Sequence, residues 1–477
     1  MASVVKHSAP PLQKSDAITQ GAAFKEHQTR VLTQLDCMQA IEQSHVQQLA
    51  ELAVVRSFPI GATIISEHTA YNFLYIILHG SICLRLHDRS GREVLVGYLN
   101  RGDCFGEGAL FGDQFRSAAA QAETSCYVMQ IPISDLSALL PQAPELESML
   151  AGIYRHRLVA STLARVPLFN QLLPLTRVEI GEMLEQCSYE RDSYILREGE
   201  RSNAFYMIES GQVVVESQGQ ALAHLDEGDF FGEMALLSDG PHNADVRTLT
   251  PTQVLMLPAL AFRKLLDHYP GLAETLREVV AARRQSGLIM QHNPLRSEQL
   301  ALALEHGALR GRQVMIRDAH LCPSTCHACM DACAGRFGRA RLNTNGIQIG
   351  NLAIVDVCHQ CRVGAECVEA CPENALQWNE HGALVVVASK CTGCGQCVQM
   401  CPYDAIQLSP QADVHSSPMW ALWRHLQQLR RPHIPLEPLV ARHLADKCDL
   451  CAGYSDMACI RACPTGALRL ISIDELL

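Results

Sequence analysis

The chain has 477 residues, enough for about three domains of roughly 150 residues each. Its content of 48% hydrophobic and 19% charged residues excludes a disordered protein, and a net charge of −11 argues against nonspecific nucleic-acid binding. No apolar run is long enough to span a membrane, and the N-terminus has neither a signal-peptide core nor paired arginines. The sequence therefore predicts a cytoplasmic protein.

The first 290 residues contain two copies of one strand-rich unit. Gly80 aligns with Gly211 and Glu107 aligns with Glu233, and the first copy has a hairpin five residues longer. Short segments rich in Ile, Val, Leu and Tyr alternate with turn sequences such as "DRSG" at 88–91. This alternation is typical of an antiparallel β-roll, and helical sequence follows each roll.

Each copy contains a turn rich in small residues. The first reads "FGEGALFGDQFRSA" (105–118). Glycine and alanine allow the backbone to approach a ligand closely, and an arginine offers a fork of donors to phosphate oxygens. A glutamate accepts hydrogen bonds from hydroxyl groups. A pocket with these groups suits a nucleotide; the alternative is an ordinary turn with a surface ion pair.

The two turns resemble the phosphate-binding cassette of cyclic nucleotide-binding domains. The resemblance implies that Glu107 binds the ribose 2′-hydroxyl and that Arg116 and nearby backbone amides bind the cyclic phosphate. It also implies that the helix around 154–158 closes over the base, and it favours cyclic AMP over cyclic GMP. The predicted nucleotide-binding residues are Gly106, Glu107, Gly108, Ala109, Arg116 and Ser117.

The second copy, "FGEMALLSDGPHNA", has a different phosphate end. It keeps Glu233 but places His242 and Asn243 at the arginine position and the next one. Replacing a charged fork by one neutral donor costs about 1.5–3 kcal/mol, which corresponds to a loss of one to two orders of magnitude in affinity. The sequence thus predicts either a structural or dimerising roll without ligand, or a roll adapted to another ligand.

Sixteen of the 21 cysteines lie between Cys322 and Cys463, in four groups of four. A reducing compartment favours metal ligands over disulfides. The third group, "CTGCGQCVQMCP", is the bacterial ferredoxin run, whereas zinc sites would not explain four groups with Cys-Pro ends. The predicted ligands are Cys322, Cys326, Cys329, Cys333, Cys358, Cys361, Cys367, Cys371, Cys391, Cys394, Cys397, Cys401, Cys448, Cys451, Cys459 and Cys463. The other five, Cys37, Cys83, Cys104, Cys126 and Cys187, are predicted to be small buried side chains.

The segment 313–470 resembles the four-cluster iron–sulfur subunits of oxidoreductases such as dimethyl sulfoxide reductase and formate dehydrogenase. In that family the two middle groups exchange their fourth cysteines, and the two outer groups do the same. Two departures are the three residues between Cys322 and Cys326 and the alanine after Cys333. The resemblance implies four [4Fe–4S] clusters, bound by Cys322, Cys326, Cys329 and Cys463; by Cys358, Cys361, Cys367 and Cys401; by Cys391, Cys394, Cys397 and Cys371; and by Cys448, Cys451, Cys459 and Cys333.

Two helices are predicted outside these patterns. "NPLRSEQLALALEHG" (293–307) has Asn293 as N-cap and Gly307 as stop, and is predicted to be a helical connector. "SPMWALWRHLQQLRR" (417–431) has an apolar stripe at helical spacing opposite arginines. That stripe predicts either a helix packed over the clusters or a face that docks on a partner or a membrane.

The predicted fold class is multidomain α+β: two jelly-roll-like β-roll cyclic nucleotide-binding domains with C-terminal helices, followed by a ferredoxin-like poly-[4Fe–4S] domain. The predicted segments are an N-terminal extension (1–36), the first domain (37–165), the second domain with the altered cassette (166–290), the connector (291–312) and the four-cluster domain (313–477).

This organisation predicts an electron-transfer subunit of a larger oxidoreductase, without catalytic residues of its own. A cyclic nucleotide in the first domain would regulate it, and another oxidoreductase subunit would be its redox partner; a homodimer is one predicted assembly. One alternative is a redox-sensing regulator associated with transcription, although the cysteine-rich segment stands where a DNA-binding domain would follow. Another is a protein in which the rolls serve only as a dimerisation scaffold.

Overall fold

The computed structural model describes residues 22–66, 73–88, 92–111, 118–238, 240–311, 313–323, 325–361, 365–379, 383–410 and 443–473. Their contacts form two compact units, the first ending at Arg157 and the second beginning at Leu158, except for two short segments before residue 95 that group with the second. In these described ranges, no helix has the length and apolar character needed to cross a membrane. The helix predicted at 417–431 lies outside them.

The first roll consists of two four-stranded sheets, in the orders β1-β8-β3-β6 and β2-β7-β4-β5, with antiparallel pairs such as β3 with β8. Helices α1 (Ala22–Thr33) and α2 (Gln43–Leu52) precede it, and α3 (Ile133–Leu139) and α4 (Pro144–Arg165) follow it. The strands are β1 (Val54–Phe58), β2 (Thr63–Ile65), β3 (Phe73–His79), β4 (Ile82–His87), β5 (Glu93–Leu99), β6 (Cys104–Phe105), β7 (Ala119–Ala122) and β8 (Cys126–Pro132).

The second roll repeats this topology eight strands later, in the orders β14-β11-β16-β9 and β10-β15-β12-β13, which confirms the predicted repeat. Its helices are α5 (Pro174–Gly181), α6 (Glu233–Ser238), α7 (Ala259–His268) and α8 (Pro270–Gln291); α4 and α8 each have 22 residues. The strands are β9 (Glu185–Tyr189), β10 (Tyr194–Leu196), β11 (Ala204–Ser210), β12 (Gln212–Ser217), β13 (Gln220–Asp226), β14 (Phe230–Phe231), β15 (Asp245–Thr248) and β16 (Thr252–Pro258).

Strand β11 runs through the core of the second roll. Phe205 on this strand is fully buried and stacks on Phe262 of α7, with 4.7 Å between the ring centroids. The tight turn into β13 uses Gln218 and Gly219, both with positive φ (52° and 78°), as two-residue hairpins require. This turn closes the antiparallel hairpin of β12 and β13.

One carboxylate in this core makes stability depend on pH. Glu209 is 2% exposed, and Gln186 donates from Nε2 to its Oε2 at 2.5 Å. Burial raises the pKa of Glu209 from 4.5 to about 6. The folded chain therefore binds more protons than the unfolded chain between these values, and the unfolding free energy falls by about 2 kcal/mol as the pH rises through them.

Glu209→Gln removes the buried charge, so we expect it to raise the thermal midpoint at pH 7.5 and to leave it unchanged at pH 4. Calorimetric unfolding of the full chain measures both values. Glu185→Gln, at an exposed position on strand β9, is the matched control. Equal midpoints for wild type and Glu209→Gln at pH 7.5 would contradict the expectation.

The remaining chain forms short strands and helices around the cysteines. Its main sheet has the order β19-β20-β17-β26, and β18-β21, β22-β23 and β24-β25 form two-stranded sheets. The helices are α9 (Pro294–Glu305), α10 (Ala328–Phe337), α11 (Glu366–Glu369), α12 (Gln396–Met400) and α13 (Ala458–Arg461). The strands are β17 (Gln313–Asp318), β18 (Leu342–Asn343), β19 (Gln348–Ile349), β20 (Leu352–Ile354), β21 (Asp356–Val357), β22 (Leu376–Trp378), β23 (Leu384–Val386), β24 (Ile406–Pro410), β25 (His443–Lys447) and β26 (Leu468–Ser472).

Helix α9 is the predicted connector. The Asn293 side chain accepts a hydrogen bond from the Arg296 backbone N–H, as an N-cap does, and Gly307 has φ 59° just beyond the helix. Leu300 and Ala303 of α9 share one hydrophobic cluster with Val214 of the second roll and Val314 of β17. The second roll, the connector and the cysteine-rich segment are therefore packed around a common core.

Candidate functional site

The first cassette begins at a glycine that the backbone requires. Gly106 has φ 90°, and a Cβ at this position would stand 2.5 Å from the Phe73 carbonyl oxygen. After it, residues Glu107–Phe111 form a short 3₁₀ helix in which Gly108 is buried and Ala109 is half-buried. The close approach of β3 and the cassette thus fixes where the backbone amides point.

The carboxylate of this cassette is held by an arginine on the following helix. Glu107 is 4% exposed, and Arg157 of α4 donates from a terminal guanidinium nitrogen to its Oε2 at 2.8 Å. On the same helix, Tyr154 stacks on Phe111 with centroids 5.3 Å apart. The predicted closing helix therefore already contacts both ends of the described cassette. Arg116 and Ser117 lie outside the described residues, so their phosphate-binding role stays a prediction.

The second cassette repeats this arrangement. Gly232 has φ 86°, Glu233 is 2% exposed, and Arg283 of α8 donates to Glu233 Oε1 at 2.9 Å and to the Phe230 carbonyl oxygen at 2.7 Å. His242, at the predicted phosphate end, is 6% exposed, and burial lowers its pKa. The second cassette therefore has a neutral imidazole at the position where the first cassette has the guanidinium group of Arg116.

Sequence reasoning missed the two helix arginines. Arg157 and Arg283 are 126 positions apart, the same offset that relates Glu107 to Glu233. Extending the repeat alignment past the strands into the helices would have paired them. Their role as partners of the carboxylates follows only from the packing of each helix against its cassette.

The cysteine ladder, defined as the sixteen cysteines from Cys322 to Cys463, brings its outer groups together through α10 and α13, which pack on each other. Burial, and to a smaller extent nearby thiols, raise the pKa of Cys329, and the same causes raise the pKa of Cys459 to about 11. These neighbouring thiols are Cys322 and Cys463 for Cys329, and Cys333 and Cys451 for Cys459. The neighbours therefore come from both outer groups in each case.

The middle groups meet through α11 and α12, which also pack on each other. Burial, together with nearby thiols, raises the pKa of Cys361 and Cys367 to about 12 and that of Cys397 to about 11. The contributing thiols include Cys358 and Cys401 for both Cys361 and Cys367, and Cys371, Cys391 and Cys394 for Cys397. Each neighbourhood again includes the fourth cysteine of the other group.

Fourth cysteines followed by proline accept backbone hydrogen bonds. The Ala375 N–H donates to Cys371 Sγ at 3.2 Å, and the Leu468 N–H donates to Cys463 Sγ at 3.4 Å. The proline starts a turn that returns the backbone to the sulfur four or five residues later. Such N–H···S contacts stabilise a thiolate and are a common second shell of iron–sulfur ligands.

Cys333 differs because no proline follows it. Ala334 continues helix α10, which ends at Gly338 with φ 81°. The Arg341 N–H donates to Cys333 Sγ at 3.4 Å, so the hydrogen bond arrives from eight residues downstream. Alanine in place of proline after Cys333 therefore changes the local backbone, but the Cys333 thiol still lies near Cys451.

Lys447 is a buried cation between two of the thiol neighbourhoods. It is 2% exposed, and its Nζ donates to Cys358 Sγ at 3.5 Å, to the Leu384 carbonyl oxygen at 2.5 Å and to the Cys448 carbonyl oxygen at 2.9 Å. A positive charge here stabilises negative charge on neighbouring thiolates and therefore suits a site whose ligands must be deprotonated.

The chemistry of the donor set fits iron–sulfur clusters. The neighbourhoods described above bring together cysteine thiols from paired groups, and a cubane binds one thiolate at each iron corner. In the described part of the chain, no three His, Cys, Asp or Glu side chains are arranged to hold one metal ion.

Of the five other cysteines, Cys37 lies between α1 and α2, and the other four lie in the strands of the two rolls. Cys83, Cys104 and Cys126 are buried as predicted, whereas Cys37 and Cys187 are half-buried. Burial raises the pKa of Cys104 to about 12, so this thiol stays protonated and behaves as a small apolar group.

Comparison with known families matches both parts of the chain. The model described as "Cyclic nucleotide-binding domain" matches residues 55–143 and 186–269, and the model described as "4Fe-4S binding domain" matches residues 384–407. The chain carries two cyclic nucleotide-binding domains and a 4Fe–4S binding domain. The two nucleotide-domain matches coincide with the two rolls, and the 4Fe–4S match covers the third cysteine group.

Curated relatives match slightly less than half of this chain. A cAMP-dependent protein kinase regulatory subunit of Hypocrea atroviridis is 31% identical over 225 residues, 46% of this chain and 47% of the relative. The corresponding subunit of Colletotrichum orbiculare is 30% identical, over 44% of this chain and 54% of the relative. A cGMP-dependent protein kinase of Caenorhabditis briggsae is 28% identical, over 49% and 30%. The chain thus spans about half or less of the length of these relatives.

Solved structures show the same kind of similarity. The regulatory domain of Toxoplasma gondii PKA, solved with cAMP, is 21% identical with a TM-score of 0.25, and the match covers 56% of this chain and 98% of that one. A structure described as a putative cAMP-binding regulatory protein from Silicibacter pomeroyi is 25% identical with a TM-score of 0.24, over 27% and 58%.

Proposed function

We propose that this protein is a cytoplasmic electron-transfer subunit of a larger oxidoreductase, regulated by cyclic AMP bound in the first roll. The observation that supports the electron-transfer part is the exchange of thiol neighbours between paired cysteine groups. That exchange is what four [4Fe–4S] clusters require when each takes three ligands from one group and one from another. The predicted boundaries at residues 37, 166, 291 and 313 belong to the same proposal.

The number of sites favours transfer over sensing. A [4Fe–4S] cluster supplies one-electron transfer when it is bound, and four along one chain provide a path between two redox partners. A sensor needs only one cluster. The chain's own residues bury the thiols, donate N–H groups to the sulfurs and place Lys447 beside Cys358. We therefore propose that the substrate is oxidised or reduced by a partner subunit.

Cyclic AMP is the proposed regulator because the first cassette keeps the family's residues. Glu107 is buried with Arg157 as its partner, and Tyr154 of the closing helix lies against Phe111. The relatives named as cAMP-dependent protein kinase regulatory subunits support the choice of nucleotide. We propose that the phosphate is bound by Arg116 together with the amides of the cassette.

The second roll offers a physical route from a nucleotide signal to the cysteines. Glu366, which begins the short helix carrying Cys367, pairs with Arg191 of the second roll and with Arg310 at 2.8 Å. Glu366 and Arg310 are partly buried, so their charges interact more strongly than in open solvent, whereas Arg191 is exposed and its attraction to Glu366 is screened by water. A displacement of the 190–193 turn would therefore act on Glu366 and on the adjacent Cys367, which is a predicted cluster ligand.

Two hydrogen bonds between uncharged groups accompany the bridge formed by the ion pairs of Glu366 with Arg191 and Arg310. Ser297 of the connector donates from Oγ to the Ala221 carbonyl oxygen at 2.9 Å, and Gln212 of β12 donates from Nε2 to the Leu309 carbonyl oxygen at 2.6 Å. Both bonds are buried, and both join the second roll to the chain on either side of Gly307. We propose that the second roll transmits the signal instead of sensing cyclic AMP itself.

The test is the rate at which the clusters of the full chain are reduced by the partner subunit that co-purifies with it. Typical allosteric couplings of about 1–3 kcal/mol predict that cyclic AMP changes this rate by about 5–150-fold. Arg116→Ala should abolish the change at the same nucleotide concentration. Glu366→Gln should reduce the change while leaving nucleotide affinity intact, because it breaks the bridge and leaves the first roll untouched.

Glu369→Gln, on the same short helix, is the matched control for Glu366→Gln. Equal rates with and without cyclic AMP in all of these proteins would reduce the rolls to a dimerisation scaffold. If cyclic AMP changed binding to duplex DNA instead, the transcription-associated alternative would replace this proposal.

A further inference from the structure

The altered second cassette still encloses a cavity. Its volume is about 380 Å³, and it lies between the cassette and helix α8. Leu225 and Val246 contribute an apolar wall, and Glu233 and His242 contribute buried polar groups. Cavities of this size, apolar with a few placed polar groups, are typical of small-molecule sites.

The charges around this cavity do not suit an anion. The carboxylate of Glu233 is balanced by Arg283, whose guanidinium also lies 4.4 Å from the Phe230 ring centroid. His242 is held neutral by burial, which lowers its pKa. Arg284 reaches the rim but is exposed, where an added charge contributes little to binding. A phosphate placed here would be desolvated without a buried cation of its own.

We propose that the second roll binds an uncharged nucleoside in place of a cyclic nucleotide. Glu233 accepts hydrogen bonds from the ribose hydroxyls, since a carboxylate has more acceptor positions than Arg283 occupies. The apolar wall takes the base. His242 lines the same cavity as Glu233, so its single neutral donor is available to a hydroxyl group of the ligand. The proposed nucleoside site does not depend on the electron-transfer role and is tested separately.

Gly287 allows the cavity to be filled without disturbing the fold. It lies in helix α8 and lines the cavity, and a Cβ at this position meets no atom within 4 Å. Leucine has a better helix propensity than glycine, so Gly287→Leu should not lower the thermal midpoint. Gly271→Leu is the matched control, because Gly271 is on the same helix, has equally open space and does not line the cavity.

Calorimetric titration of the full chain with adenosine, guanosine and uridine tests the proposal. We expect one nucleoside site per chain, weakened at least tenfold by Gly287→Leu and by Glu233→Gln. Glu107→Gln, the equivalent change in the first roll, and Gly271→Leu should leave it unchanged. Cyclic AMP binding should show the reverse dependence, being sensitive to Glu107→Gln and insensitive to Gly287→Leu.

A gain-of-function variant provides a complementary test of the ligand preference of the second roll. His242→Arg restores the charged fork, so it should add a second cyclic AMP site and weaken nucleoside binding. The proposal is overturned if none of the three nucleosides binds, if binding survives Gly287→Leu unchanged, or if the wild-type chain binds two equivalents of cyclic AMP. If only the nucleotide-regulation proposal is wrong, the wild-type chain should lack the Glu107-dependent cyclic AMP site and should still bind a nucleoside.

Discussion

Protein prepared anaerobically is expected to contain about sixteen iron atoms per chain, from four clusters of four irons. Cys394→Ala should lower this to about twelve, because Cys394 lies near Cys397 in a neighbourhood separate from the other three. The absorption band of thiolate-to-iron charge transfer should fall in proportion. Iron analysis with protein quantitation, together with visible spectroscopy, measures both quantities.

Cys187→Ala is the matched control for this experiment, because Cys187 is a half-buried cysteine of the second roll outside the ladder. It should retain all of the iron. Stoichiometric zinc in place of iron, or loss of every cluster from Cys394→Ala alone, would contradict the proposed ligand sets. The second result would mean that the thiol neighbourhoods do not form separate clusters.

Removing the arginine of the first cassette is expected to weaken cyclic AMP binding by about ten- to a hundredfold. A lost charge-assisted contact to phosphate costs about 1.5–3 kcal/mol, and every 1.4 kcal/mol is a factor of ten. Arg116→Ala should therefore have this effect, whereas His242→Ala at the equivalent position of the second cassette should have almost none. Calorimetric titration of the full chain with cyclic AMP gives both affinities and the number of sites.

Arg116→Lys provides a finer control. It keeps the charge but loses the planar fork, so its affinity should fall between those of wild type and Arg116→Ala. Two equal cyclic AMP sites in the wild-type chain, or affinity that is indifferent to Arg116, would show that the phosphate is bound by other groups.

Local patterns were sufficient to predict much of this molecule. The repeat was visible because each roll needs the same strands and turns, and the eight-strand offset of the two rolls follows from it. Gly106 was predicted as a small residue that allows close approach to a ligand, and the structure adds that its positive φ beside the Phe73 carbonyl oxygen requires glycine. The connector helix was predictable from its own cap, Asn293.

Contacts between distant segments could not be predicted in this way. The pairs Arg157 with Glu107 and Arg191 with Glu366 join residues 50 and 175 positions apart. Nothing in the neighbourhood of Lys447 in the sequence indicates that its ammonium is buried against Cys358, 89 positions away. Such pairs depend on how helices and strands pack, which periodicity does not specify.

The sequence by itself determined the candidate ligand-binding residues: the cysteines at ferredoxin-like spacing, the two cassettes, and the histidine that replaces an arginine in the second cassette. These are short-range features, because a thiol group or a turn must be correctly spaced along the backbone before any packing occurs. Only the tertiary structure decided that the second cassette encloses a cavity with balanced charges and that the second roll shares a core with the cysteine-rich segment. The physical reason is that these properties come from burial, and burial is created by segments far apart in the chain.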